Sequence, residues 1–168
     1  MSVRIRSEEP SDAGEIEALI ITAFRAAAHG NPTEHFIVSA LREAGQLAVS
    51  LVAEDDGAIV GHVAVSPVSV SSGAAGWYGL GPLSVAPERQ GQGIGSELAR
   101  QALAQLRRQG AAGCVVLGEP GFYGRFGFRA EPALVLPDVP PRYFQAVAFG
   151  GGVPKGSVSY HPAFNAAG

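Results

Sequence analysis

The chain has 168 residues, a length that fits one domain, and with 46% hydrophobic against 16% charged residues it has the apolar surface to fold rather than stay disordered. Its 12 basic and 15 acidic residues leave a net charge of -3, which draws it to neither nucleic acid nor an anionic membrane, so any bound anion must be held locally. A single cysteine, Cys114, excludes an internal disulfide and a cysteine-based zinc site, and neither a leader-like N-terminus nor a long apolar run is present, so the expectation is a cytoplasmic protein with no metal.

Residues 3–6 alternate like a short strand, and Pro10, Ser11 and Asp12 then signal a helix start with an Asp12/Glu15 capping box. Ile16, Leu19, Ile20, Ala23, Phe24 and Ala27 share one helical face. Asn31 and Pro32 punctuate, and Thr33 can cap a second helix whose Phe36, Ile37, Ala40, Leu41 and Ala44 share a face and whose stop is Gly45. Residues 47–53 read as a strand, Asp55-Asp56-Gly57 as a hairpin turn, and residues 58–70 as a long strand interrupted at Pro67. Glu54, Asp55 and Asp56 read as a solvated turn. A further strand over 77–85 carries Gly79, Gly81 and Pro82, which disrupt pairing and predict a bulge or splay.

After a polar loop, Ile94, Leu98, Ala102, Leu103 and Leu106 form a helical stripe ending near Gly110. Residues 114–117 are continuously apolar, as in a strand covered on both faces, and complete a βαβ unit with a right-handed crossover. Only a short helix with Phe122, Tyr123 and Phe126 fits before Gly127. Residues 143–149 and 157–160 read as a terminal strand pair around Gly150-Gly151-Gly152. The expected organisation is one domain over 1–168, with a core over 1–131 and a strand pair and tail over 132–168.

The segment Arg89-Gln90-Gly91-Gln92-Gly93-Ile94-Gly95-Ser96 joins a strand end to the apolar-striped helix. Its glycines let backbone approach a ligand, and the first N–H groups of the helix, reinforced by its dipole, face an anion such as a pyrophosphate. No Gly-Lys-Ser/Thr follows, so the Walker pattern fails. A dinucleotide fingerprint would place Ser96 at its third glycine and Glu119 as its acidic partner, but five residues, 86–90, separate its first glycine, Gly91, from the strand. A glycine turn serving only helix–strand packing stays open as an alternative.

The run from Leu83 to Gly95, with Gln90, Gly93 and Gly95 in a Gln/Arg-x-x-Gly-x-Gly/Ala pattern, resembles motif A of the GCN5-related N-acetyltransferase (GNAT) superfamily. Tyr123-Gly124-Arg125-Phe126-Gly127-Phe128 resembles its Tyr-x-x-x-Gly-Phe segment, and the likeness in element order covers about residues 1–131. Gly79-Leu80-Gly81-Pro82-Leu83, Gly118-Glu119-Pro120 and the closing residues 158–164 are similar, more narrowly, to the YhbS-type acetyltransferases. The resemblance implies an α/β fold with a mixed, mostly antiparallel sheet flanked by helices, and a splayed parallel strand pair at the cleft for coenzyme A (CoA). It implies acetyl-CoA as donor and an amine, small or on a protein, as acceptor, with direct transfer. It also implies donor binding by Leu83, Ser84, Val85, Arg89, Gln90, Gly91, Gln92, Gly93, Ile94, Gly95 and Ser96. Pantetheine amides would pair with Leu83 and Val85 as a strand-addition ligand does. The Leu83 N–H is the candidate oxyanion donor, since Pro82 has none.

Tyr123 resembles the family's general acid; its other reading is a core aromatic beside Phe122 and Phe126. The strand over 77–85 holds no carboxylate, so the proton of the amine is expected to leave through water with Glu119 assisting, or through a histidine such as His62. His35 and His62 otherwise read as ordinary solvated or core residues, and Cys114 as inert core. A non-catalytic acyl-CoA sensor is the alternative to an enzyme, and a homodimer is left open.

Overall fold

The computed structural model describes residues 3–26 and 34–165. In chain order it places β1 (Val3–Ser7), α1 (Ala13–Ala26), α2 (Glu34–Glu43), β2 (Val49–Asp55), β3 (Ala58–Val70), β4 (Trp77–Val85), α3 (Ile94–Arg108), β5 (Gly113–Leu117), α4 (Pro120–Tyr123), β6 (Leu134–Val135), β7 (Phe144–Ala148) and β8 (Gly156–Tyr160). The main path of the sheet runs β1-β2-β3-β4-β5-β7, antiparallel throughout except for the β4–β5 pair. This is the expected mixed, mostly antiparallel sheet flanked by helices.

Apolar periodicity decides what each helix buries. Ile16, Leu19 and Ile20 of α1 and Ile94, Leu98, Ala102, Leu103 and Leu106 of α3 lie in one core with Val52, Val63 and Val65 of the sheet. Gly61 of β3 faces α3, where a Cβ would come within 2.9 Å of Ile94 and Leu98. Cys114 and Val116 of β5 join that same core, while Val115 between them joins a second core with Trp77, Phe144 and Val158, so β5 is covered on both faces as its sequence requires.

Three sequence expectations need correction. The Asp12/Glu15 box is replaced by a Glu9/Asp12 pairing, in which the Glu9 N–H donates to the Asp12 carboxylate at 2.7 Å, while Glu15 accepts the Ile59 N–H at 2.8 Å. Proline at position 10 starts a 3-10 turn first and moves the helix entrance back by one turn. The terminal strands exist but do not pair with each other: β7 lies antiparallel to β5, and β8 pairs with β3 and with β6. An open edge on β5 and the last residues of the long β3, Val68–Val70, which run past the β4 ladder, offer full ladders that a local hairpin would leave unpaired. Third, Glu54 and Asp55 are not merely solvated, since Glu54 pairs with Arg4 at 2.8 Å and Asp55 with Arg89 at 2.9 Å. Ala27, Asn31, Pro32 and Thr33 lie outside the described residues.

The face of β3 opposite α3 carries a buried polar group. His62 is fully buried, its Nε2 lies 2.9 Å from Ser50 Oγ, and Ser50 donates in turn to Glu8, which Arg42 of α2 grips through two bonds of 2.9 Å. Burial pushes the Glu8 carboxyl up, but the nearby His62 and the hydrogen bonds from Arg42 and Ser50 outweigh it and hold the group well below the usual carboxylate range. Burial lowers the His62 pKa and outweighs the pull of Glu8 in the other direction. Both groups therefore bind protons more readily in the unfolded chain, so stability should fall as pH drops below about 6.5, first through His62 and then, near about 4.3, through Glu8. Urea unfolding at a series of pH values should show this decline, and His62→Gln should flatten its upper part.

Candidate active site

The site grows from a defect in β4. Leu80 is opposite Val65 and Leu83 is opposite Val63, so Gly81 and Pro82 together face the single residue Ala64 of β3. On its other side β4 is paired with β5 only from Trp77 to Leu80, after which Leu117 of β5 turns to Phe144. The parallel pair thus opens past Leu80. The Ala86 N–H donates to Val60 O at 2.9 Å, and in an antiparallel ladder such bonds alternate, so Ser84 is also turned to β3 while the N–H and C=O of Leu83 and Val85 face the opening. Gln90 Nε2 donates to Val85 O at 3.3 Å, which marks that carbonyl as outside the β3 ladder.

A cleft of about 520 Å³ runs from this edge to the start of α3, lined by Leu83, Val85, Arg89, Gln90, Gly91, Gly93, Ile94, Gly95, Ser96, Phe122 and Arg125. The first residue before α3, Gly93, has φ 86°, a left-handed turn that glycine adopts without strain and that aims the following N–H groups outward. The first intrahelical bond is Glu97 N–H to Gly93 O at 3.1 Å, so the N–H groups of Ile94, Gly95 and Ser96 have no partner within the helix. These donors, the helix dipole and the Arg125 guanidinium make the cleft suited to an anion despite the net negative charge of the chain.

All the proposed donor-binding residues line this cleft except Ser84 and Gln92. Ser84 is buried on the β3 side of the ladder, and Gln92 lines a separate hollow by β1 and accepts a bond from Arg89 at 3.1 Å. Arg125 is the residue the sequence reading missed. Its guanidinium donates to Ser96 Oγ at 2.7 Å and lies 5.0 Å from the centre of the Phe122 ring. Its signal lay in its place between Phe122 and Phe126, whose rings it covers.

A second cavity of about 400 Å³ lies across the bulge and shares Leu83 with the first; Leu80, Gly81, Pro82 and Tyr123 also line it. Tyr123 packs edge-on against Phe122 and Phe128, and Gly118 touches its ring so closely that a Cβ there would collide. Burial raises the pKa of the phenol to about 12, which keeps it protonated at neutral pH. Glu119 lies at the cap of α4, exposed and outside both cavities, and His62 is buried among Ser50 and Glu8, so neither candidate for taking the proton of an amine reaches either cavity. His35 stacks on Phe36 at 3.9 Å and lines neither cavity. Cys114 is fully buried with its thiol pKa raised by burial, in keeping with an inert core residue. Among the described residues no group of three His, Cys, Asp or Glu is arranged to hold a metal ion, and no helix is long and apolar enough to cross a membrane.

A sheet that opens between two parallel strands onto a glycine-rich helix start forms a long cleft with an anion-binding end. Residues 13–128 match the Acetyltransferase (GNAT) family, and the chain belongs to that family. It is 42% identical over 125 residues to the uncharacterized N-acetyltransferase YhbS of Escherichia coli (strain K12), covering 74% of this chain and 72% of that one. Its fold is similar to that of a GNAT family acetyltransferase from Brucella melitensis in complex with acetyl-CoA, at 52% identity and a TM-score of 0.87 over 97% of this chain and 98% of the other. It is also similar to the crystal structure of E. coli YhbS in complex with CoA, at 37% identity and a TM-score of 0.88 over 99% and 93% of the two chains.

Proposed function

We propose that the protein transfers the acetyl group of acetyl-CoA directly to an amine. The observation that carries this reading is the continuity of the cleft: anion-binding N–H groups at the start of α3 lead along the open edge of Leu83 and Val85 to the bulge, where Tyr123 stands. That is the order of pyrophosphate, pantetheine amides and thioester along CoA, and the two CoA-bound and acetyl-CoA-bound relatives support it.

In this reading Gly93, Ile94, Gly95 and Ser96 hold the pyrophosphate by backbone N–H groups, with Arg125 and Arg89 at the cleft wall. Leu83 and Val85 take the pantetheine amides as an added strand, and the Leu83 N–H stabilises the negative charge that develops on the thioester oxygen. The neutral amine attacks the carbonyl carbon, the C–S bond breaks, the nitrogen gives up a proton to water, and the Tyr123 phenol supplies one to the departing thiolate. Its raised pKa does not prevent this, because the same apolar surroundings raise the pKa of a thiol as well.

Calorimetric binding of acetyl-CoA and NAD, followed by thiol release with a panel of amines, tests the proposal. Binding of acetyl-CoA but not NAD, with amine-dependent CoA release, is expected. Acetyl-CoA binding without release for any amine would favour the acyl-CoA sensor, and NAD binding in its place would overturn the donor assignment.

A further inference from the structure

The cavity across the bulge holds a carboxylate that the assigned roles leave unused. Glu34, in the first turn of α2, lines it together with Phe24, Leu117, Leu136, Tyr160 and Phe164. Glu34 is partly buried and makes no hydrogen bond or ion pair with any other described residue. Among the described residues it is the only fully charged side chain on a wall that is otherwise aliphatic and aromatic, the remaining titratable groups there being the phenols of Tyr123 and Tyr160. A carboxylate placed against apolar surface with no partner is costly unless a cation meets it.

We propose that this cavity receives a primary amine with a compact apolar body and a single charge, and that Glu34 recognises its ammonium. The inference rests on the acetyltransferase reading for its chemistry but names what that reading leaves open. Burial raises the pKa of Glu34, which is the response of a carboxylate with no compensating charge, and a bound ammonium would supply one. Leu117, 47% exposed where β5 leaves β4, is the kind of apolar surface that such a body would cover. The same wall selects against two other amine classes. Among the described residues of the wall there is one carboxylate and no cation, so a free amino acid would bring its carboxylate to an anion, and a polyamine would bring further ammonium groups with no second carboxylate to receive them.

Four probes test this on the CoA-loaded protein: 2-phenylethylamine, its neutral analogue 2-phenylethanol, L-phenylalanine, which adds only a carboxylate, and the aliphatic polyamine spermidine. By calorimetry 2-phenylethylamine should bind at least tenfold more tightly than each of the other three, and Glu34→Gln should bring its affinity to within threefold of that of 2-phenylethanol while the affinity for CoA stays unchanged. Equal binding of the amine and the alcohol, tighter binding of spermidine or phenylalanine, or an amine affinity untouched by Glu34→Gln would each overturn the proposal. The comparison of the four probes on the unsubstituted protein decides the matter even if the variant does not fold. Because the readout is binding, it is separate from the failure of the transferase reading, which would show as absence of CoA release with every amine.

Discussion

Gly95→Val should weaken acetyl-CoA binding by about a hundredfold, about 2.7 kcal/mol, with little change in melting temperature. The choice of position follows from backbone geometry. Gly93 faces open space, so a Cβ there meets no atom, but its φ of 86° is one that other residues adopt only with strain, and a loss of binding in Gly93→Val would be confounded with a loss of fold. Gly95 is ordinary helix. A Cβ there lies in normal contact with Val85 at 3.5 Å, Phe122 at 3.8 Å and Leu83 at 4.0 Å, which are the walls of the cleft. The γ-methyls of valine must then occupy the space between the Leu83–Val85 edge and α4, where the ligand has to pass. Gly95→Ala adds only the tolerated Cβ and should bind within a few-fold of the original chain, melting at or above it because alanine is the better helix former. A valine variant that melts normally and keeps its affinity, measured by calorimetry, would remove the helix start from the binding site.

Much of this geometry is legible in the sequence because glycines and prolines mark it locally. The bounds of β3 and β4 fall where turn residues stand on either side, at Asp56-Gly57, Ser71–Gly76 and Pro87, and α3 begins at the first residue of its apolar stripe. Gly81 and Pro82 announce the break in β4 for the same reason. Pairing between distant elements carries no such mark. The alternation in 144–148 shows a strand but cannot say that β5 has an open edge to receive it, and the nearest partner in sequence, β8, is the wrong one. Asp55 with Arg89 and Arg125 with Ser96 are contacts between residues 34 and 29 positions apart, Glu34 shares a cavity with the bulge at Gly81 and Pro82, and charge pattern alone does not bring these groups together. The absence of a carboxylate from β4 is legible in the sequence; that a carboxylate of α2, Glu34, lines the cavity across the bulge is not.

Tyr123→Phe should lower kcat about a hundredfold and leave the affinity for acetyl-CoA unchanged, because it removes one hydroxyl from a ring whose packing against Phe122 and Phe128 is apolar. Tyr123 lines the second cavity and none of the cleft at the start of α3, so donor binding gives an internal control. The phenol is kept neutral by burial up to about pH 12, so its protonation adds no limb to the rate profile between about pH 6 and pH 10 in either form of the protein. A second route to the same loss leaves the hydroxyl in place: Gly118→Ala puts a Cβ into the space of the Tyr123 ring and must turn it from the thioester. Loss of turnover in both variants, with CoA affinity retained in both, assigns the proton donor to the placed hydroxyl rather than to the ring. Full activity in Tyr123→Phe, with single-turnover kinetics showing that chemistry limits the rate, would leave Tyr123 as an aromatic packing residue and the thiolate to be protonated by water.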